Sequence, residues 1–258
     1  MGLAGGVFAN VRLNRLLAEA LPVDEVFIVP PMGADGLVVG GALQFLLERD
    51  GLATWLSHRQ RLTNVYWGSA HDTSADSVFA NAPGVARGNG DPLALAADWL
   101  SQGRIGAIYT GPMGSMAPRP RGAQHTRQSR RSEFMPFAPL INEQDAAEVF
   151  DLGNLNRYAA RFMTISCGVR RPWRDRIPGV VHIDGSARPQ LINRAENPCY
   201  LDILAGFKAR TGLPALVNTS LNVHEEPIVN RPEECLKTLT EGRVDFVVTP
   251  GSLWHSLG

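Results

Sequence analysis

Short apolar runs alternate along the chain with segments whose hydrophobic positions recur at helical spacing, which predicts strands interleaved with helices. Val26–Val29 (VFIV) has the character of a buried strand. It passes through the breaker cluster PPMGADG into LVVGGALQFLLERDG, a predicted helix closed by Gly51. Gly40, Gly41 and Ala42 leave the first turns of that helix without bulk, so a strand or ligand can approach closely. Upstream, the glycine-rich opening, Gly2 to Gly6, leads into a helix-like segment from Asn10 to Ala20. Strand, glycine loop with a carboxylate, and helix form an α/β unit, and such units bind ligands at the loop.

Residues 53 to 90 are polar and read as a connection. A helix is predicted at Pro92–Gln102 and a strand at Arg104–Tyr109. From Gly111 to Arg130 there is no hydrophobic period, arginines grow denser, and a solvated loop is expected. Order returns at EFMPFAPLI, after which Asn142 is placed to cap a helix, NEQDAAEVF. Further strands are predicted at Gly179–Gly185, Pro214–Ser220 and Asp245–Gly251, with helices at Tyr200–Thr211 and Pro232–Glu241. The interleaving implies an α/β or α+β fold.

Composition narrows the function classes. The 258 residues carry 25 Lys+Arg against 25 Asp+Glu, so no global positive field marks a nucleic-acid binder. Hydrophobic residues make up 44%, too many for a disordered tail. No apolar run approaches the length of about 18 residues that a membrane span needs, and the start lacks the character of a signal peptide. Cys167, Cys199 and Cys235 are odd in number and irregularly spaced, which suits reduced thiols in the cytoplasm. A chain that opens on a functional-looking loop also implies residues upstream of Met1.

Generic catalytic patterns are absent: no histidine pair at i, i+4, no Cys-x-x-Cys, no Gly-x-Ser-x-Gly and no phosphate loop of the Walker type. Three clusters carry more. PALVNTSLN ends an apolar strand in Asn218, Thr219, Ser220 and Asn222, either an elaborate turn or a group of donors and acceptors facing a polar ligand. GVVHIDGSARPQ leads into His182, Asp184, Ser186 and Arg188, where Arg188 can make a forked contact with an oxyanion or sit in a surface turn. In AGGVFANVRLN, Gly5 and Gly6 permit close backbone approach and Asn10 can bond a base or ribose; a simple tight turn is the alternative.

Taken in order, AGGVFANVRLN, VPPMGADGLVVGGAL, RSEFMPFAPLI, IPGVVHIDGSARPQ, TGLPALVNTSLNVHEEPIV with RPEECL, and VDFVV resemble the O-carbamoyltransferase family of the NodU/CmcH type. The resemblance runs from Leu3 to about Trp254. It implies the end of an actin-like ATPase domain over residues 1–60, followed by a YrdC-like carbamoyltransferase C-terminal domain over residues 61–258. It implies that carbamoyl phosphate is activated with ATP to a carbamoyl-adenylate, and that the carbamoyl group then passes to a hydroxyl of a small-molecule acceptor beside a divalent metal of the iron or magnesium type. By resemblance, Gly6 and Asn10 match the nucleotide loop. Ser186, Arg188, Asn218, Ser220 and Asn222 match the carbamoyl phosphate site, with Arg188 and Arg131 as its catalytic arginines. Asp35 stands one residue after the family's metal-binding Asp, at whose place this chain has Ala34.

Two departures set further expectations. The family's paired metal-binding histidines have no counterpart, so an incomplete transferase is expected, or one subunit of a split enzyme whose other half is a second chain. A non-catalytic binding module is the remaining alternative. Between Tyr109 and EFMPFAP, the string GPMGSMAPRPRGAQHTRQSR departs from the family motif as a local reading-frame change or deletion would make it.

Overall fold

In the computed structural model, residues 1–111, 137–222 and 227–257 are described. Arg131, the segment from Pro112 to Arg130 with its expected frame change, and most of EFMPFAP lie outside them.

Along the chain, β1 (Gly2–Leu3) and a short 3-10 turn precede α1 (Val11–Ala20), followed by β2 (Phe27–Ile28) and α2 (Gly36–His58). Then come α3 (Asp72–Ala80), β3 (Val85–Arg87), α4 (Pro92–Ser101) and β4 (Gly106–Ile108). After β5 (Ala138–Asn142) lie α5 (Ala146–Val149), β6 (Phe150–Asp151), α6 (Asn154–Ala160), β7 (Cys167–Val169) and α7 (Arg171–Arg174). The last elements are β8 (Ser186–Ala187), β9 (Gln190–Ile192), α8 (Pro198–Thr211), β10 (Ala215–Asn218), α9 (Pro232–Thr240), β11 (Phe246–Val248) and β12 (Leu253–Ser256). The mixed α/β class expected from the interleaved pattern is present.

Two sheets are buried on both faces. In the sheet ordered β10-β5-β9, Leu140, Leu216 and Ile192 face one core, while Ile141, Val217 and Leu191 face another. In the sheet β3-β12-β11-β4, Ile108, Phe246 and Val248 face that first core, and Ala107, Val247 and Trp254 the opposite side. Strands covered twice lose polar alternation and read as apolar runs, which is why β4, β10 and β11 are legible in the sequence. Helices α4 and α8 fill the space between these sheets, meeting where a Cβ on Gly206 would stand 2.7 Å from the Ala97 Cβ. Helices α3 and α9 cover the outer face of the four-stranded sheet through Phe79, Cys235 and Leu239.

The other face of the three-stranded sheet packs on a core shared with the beginning of the chain. Ala18, Val26 and Ile28 join Phe150, Cys167, Val169 and Ala187 there, so this core draws on both sides of residue 60. Helix α1 is fixed to it by Asn14, which is fully buried and donates from Nδ2 to the Phe8 and Thr164 carbonyls, both at 2.7 Å. Ser166 adds backbone and hydroxyl bonds to the Val11 carbonyl.

Helix α2 contrasts with the rest. It breaks at Gly51 (φ 79°, ψ 157°), where the sequence predicts its end, and about two further turns run on to His58. Its apolar residues are spread around the axis, none is buried, and Leu37, Val38 and Phe45 are 75%, 78% and 61% exposed.

Three expectations from the sequence are corrected. The strand at Gly179–Gly185 is instead a 3-10 turn at Pro178–Val180 followed by a hydrogen-bonded turn, with strand starting only at Ser186. The Asp-Gly pair and the positive φ of Gly185 (75°) favour the turn over extension of the apolar run. The helix expected after Asn142 shrinks to Ala146–Val149, because Asn142 closes β5 and Phe150 already pairs with β7. The connection at 53–90 contains α3 and β3, whose ordering rests on tertiary burial of Ala75 and Phe79.

Candidate functional site

Asn10 is the N-cap of α1; its side-chain oxygen accepts from the N–H groups of Arg12 and Leu13. Both Gly6 and Asn10 are exposed, in a loop whose Gly5 N–H bonds the Met32 carbonyl. Asp35 is exposed at the start of α2 and makes no capping bond. Among the described residues no group of three His, Cys, Asp or Glu is arranged to hold a metal ion, so Asp35 gains no co-ligand there.

The strongest concentration of polar chemistry is the turn from His182 to Ser186. The Gly185 N–H bonds the His182 carbonyl at 2.8 Å, and the His182 N–H bonds the Ser186 carbonyl at 2.7 Å. Asp184 Oδ1 accepts from the Ser186 N–H at 3.0 Å and from its hydroxyl at 2.6 Å. An ionised carboxylate can only accept, so Ser186 spends its proton on Asp184. Its oxygen must then accept from His182 Nδ1, 3.2 Å away, which assigns the neutral imidazole the tautomer with hydrogen on Nδ1. Nε2 keeps its lone pair, is buried, and has no hydrogen-bond partner among the described residues.

Arginines surround this turn. Arg12 Nε and Arg15 Nη2 of α1 each stand 3.9 Å from Asp184 Oδ2. Arg174 lies against Gly185 so closely that a Cβ there would meet its Cζ at 2.8 Å. Burial pushes the His182 pKa below its ordinary value, and the charges of Arg188 and Arg15 push the same way against the opposing pull of Asp184. The Ser186 hydroxyl holds Asp184 below the usual carboxylate range, with help from the Ser186 N–H and from Arg15 and Arg12. Two arginines thus face the Asp184 carboxylate, and Arg174 and Arg188 act on the same turn, so a chain of zero net charge has here a local field suited to an oxyanion.

The alignment follows from the fold. Asn14 and Val11 bind α1 to Thr164 and Ser166, which run directly into β7; Cys167 and Gly168 pair with Ala187 and Ser186 on β8. That path brings α1 arginines beside a turn remote in sequence. Residues 117–255 match the family described as Carbamoyltransferase C-terminus.

The chain belongs to this carbamoyltransferase family. It is 33% identical to nodulation protein NolO of Bradyrhizobium diazoefficiens, over 95% of this chain and 47% of that protein. An uncharacterized protein of Methanocaldococcus jannaschii is 30% identical over 98% of this chain and 44% of its own length. The chain therefore spans less than half the length of these curated relatives. A crystal structure of T. kodakarensis HypF aligns with 67% of the chain and 23% of its own, with a TM-score of 0.45 and 18% identity.

Of the other sequence-predicted residues, Asn218 is tied to the strand that follows the turn. Asn218, at the end of β10, donates from Nδ2 to Gln190 Oε1 at 2.6 Å, across the small Ala138 on the intervening β5. This buried bond ties the strand end to the segment that carries Arg188. Ser220 donates to Asn222 Oδ1 at 2.6 Å, organising the turn after β10. Asn218 and Ser186 are buried, whereas Arg188, Ser220 and Asn222 are half-buried. Arg12, Arg15 and Arg174 are the additions sequence reasoning missed. A groove of about 920 Å³, bordered by Asp145, Arg157 and Lys208, lies elsewhere. Its charges are already paired, Lys208 with Asp145 at 3.0 Å and Arg157 with Glu143 at 3.4 Å.

Proposed function

We propose that the chain binds carbamoyl phosphate at the arginine-ringed turn and serves as the C-terminal part of an O-carbamoyltransferase. The observation that carries this is the convergence of Arg12, Arg15, Arg174 and Arg188 on the 182–186 turn, within a chain of the carbamoyltransferase family. Carbamoyl phosphate is a dianion, and fixed guanidinium groups can both hold it and stabilise charge developing on the departing phosphate. Ser186 and Arg188 contribute at the turn. Asn218 supports the adjoining strand through Gln190, and Ser220 and Asn222 shape the neighbouring rim; Arg131 is a further anion contact in this reading.

The reading extends to a carbamoyl-adenylate made with ATP, with Gly6 and Asn10 at the nucleotide, and to transfer onto a hydroxyl-bearing small molecule. In it, residues 1–60 end an actin-like ATPase unit, residues 61–258 form the YrdC-like unit, and the protein works in the cytoplasm without nucleic acid or membrane. The described residues do not assemble a site for the divalent metal, so no step is assigned to one. A polypeptide corresponding to the rest of the relatives' length would complete the transferase, and the unburied apolar surface of α2 is where it would pack.

Calorimetry of the purified chain with carbamoyl phosphate tests the binding step; measurable heat that saturates at one site is expected, and its absence from folded protein refutes the reading. Transfer to an acceptor is expected only when the complementary polypeptide is added.

A further inference from the structure

The carboxylate, hydroxyl and imidazole of the 182–186 turn form a directed chain that ends in an atom with nothing to accept. Asp184 accepts a hydrogen bond from the Ser186 hydroxyl, the Ser186 oxygen accepts one from His182 Nδ1–H, and Nε2 is left as a buried acceptor. A buried acceptor without a donor is costly, and its cost is removed when a ligand supplies an N–H or O–H. The surrounding arginines can donate but, unlike Nε2, they cannot accept. The site therefore offers two unlike recognition elements side by side: positive charge for an oxyanion and one neutral acceptor for a donor.

We propose that His182 Nε2 accepts a hydrogen bond from the carbamoyl amide and so selects carbamoyl phosphate over acyl phosphates that lack an N–H. The inference rests on the reading that the arginine-ringed turn binds carbamoyl phosphate. Acetyl phosphate is the discriminating probe, because its methyl group has nearly the shape of the amide and donates nothing. Its binding leaves Nε2 buried and unsatisfied, whereas the phosphate end of either molecule meets the same arginines. The neutral state needed for acceptance is favoured by burial and by the charges of Arg188 and Arg15, against which Asp184 pulls; among the described residues Arg12 and Arg174 also stand beside the turn, and Glu19 pairs with Arg15. His182 is in this sense a specificity determinant rather than a source of affinity for phosphate.

The test compares dissociation constants of carbamoyl phosphate, acetyl phosphate and inorganic phosphate for the full chain and for His182→Leu, His182→Gln and Ser186→Ala. The wild type is expected to prefer carbamoyl over acetyl phosphate by about tenfold or more, the order expected for one buried hydrogen bond left unmade. His182→Leu should lose that preference while its affinity for inorganic phosphate stays within about twofold, since the arginines hold that end. His182→Gln keeps an acceptor of similar reach and should restore part of the preference. Ser186→Ala, which releases the tautomer, should reduce it and serves as the second arm if the Leu variant does not fold. Equal binding of the two acyl phosphates by the wild type, or a preference that survives both His182→Leu and Ser186→Ala, overturns the inference while carbamoyl phosphate binding itself stands. Failure of the folded wild type to bind any of the three anions overturns the inference and the underlying reading together.

Discussion

Arg15 Nη2 stands 3.9 Å from the Asp184 carboxylate, joining the first helix to a turn remote from it in sequence. Arg15 is largely buried, with 17% of its side chain exposed, so the pair is less screened than a surface bridge. Its guanidinium also faces Glu19 at 3.6 Å, which orients it along the helix. Arg15→Gln is expected to weaken phosphate binding about tenfold, the scale of a charge-assisted hydrogen bond. Titration calorimetry at two ionic strengths checks this, and the variant should also show the shallower salt dependence.

Acidification should weaken the fold in two stages. The His182 pKa is lowered from 6.5, so the unfolded chain binds that proton more readily than the folded one. Its contribution is present above that value and declines as pH falls through it. The Asp184 pKa is lowered from 3.8, so its contribution is present above that value and is lost as pH falls below it. Urea midpoints measured from pH 7.5 down to pH 3 should decline in both ranges. His182→Gln should remove the first decline and Asp184→Asn should lessen the second, to which Glu234 also contributes; unchanged profiles in both variants would count against these assignments.

Gly106 faces Phe246 directly across β4 and β11, and the aromatic ring covers it. A Cβ at Gly106 would stand 2.2 Å from Phe246 Cζ, a clash that only movement of the Phe246 ring or of the backbone can relieve. Gly106→Ala is expected to cost about 1–3 kcal/mol of stability by overpacking. Combining it with Phe246→Leu should recover part of that loss, and a double-mutant cycle in urea reads the coupling.

The Cys167 thiol is fully buried, and burial pushes its pKa up to about 12. The thiolate is the reacting species, so Cys167 should resist alkylation in the native chain and react only after unfolding. Cys199, raised to about 11 by burial and then by Asp202, should be slow as well. Mass spectrometry after brief iodoacetamide treatment, with and without urea, distinguishes these outcomes.

The helices α4, α8 and α9 were legible because Pro at the first turn and a run of core residues coincide in each. Asn10 was legible as a helix start for a related reason: its side chain performs local capping that needs no distant partner. Helix α3 was not, since DTSADSVFA buries only Ala75 and Phe79 and is secured by distant partners, among them Trp254 Nε1 donating to Asp76 Oδ1 at 3.1 Å. In the candidate site, His182, Asp184, Ser186 and Arg188 could be found together because one short string holds them. Arg12, Arg15 and Arg174 could not, because their convergence depends on where α1 and α7 dock, and an isolated Arg in a helix has no spacing that announces a partner. The false strand at Gly179–Gly185 has the opposite origin: a locally apolar pattern outvoted by turn chemistry two residues further on.

Besides the burial of Ala18, α1 is held to the 164–166 segment by a few hydrogen bonds of Asn14 and Ser166. An anion seated among the arginines would bridge α1 to α7 and to the 182–186 turn at once. Occupancy would then act as a rivet, making the docking of the amino-terminal helix itself a reporter of the bound ligand.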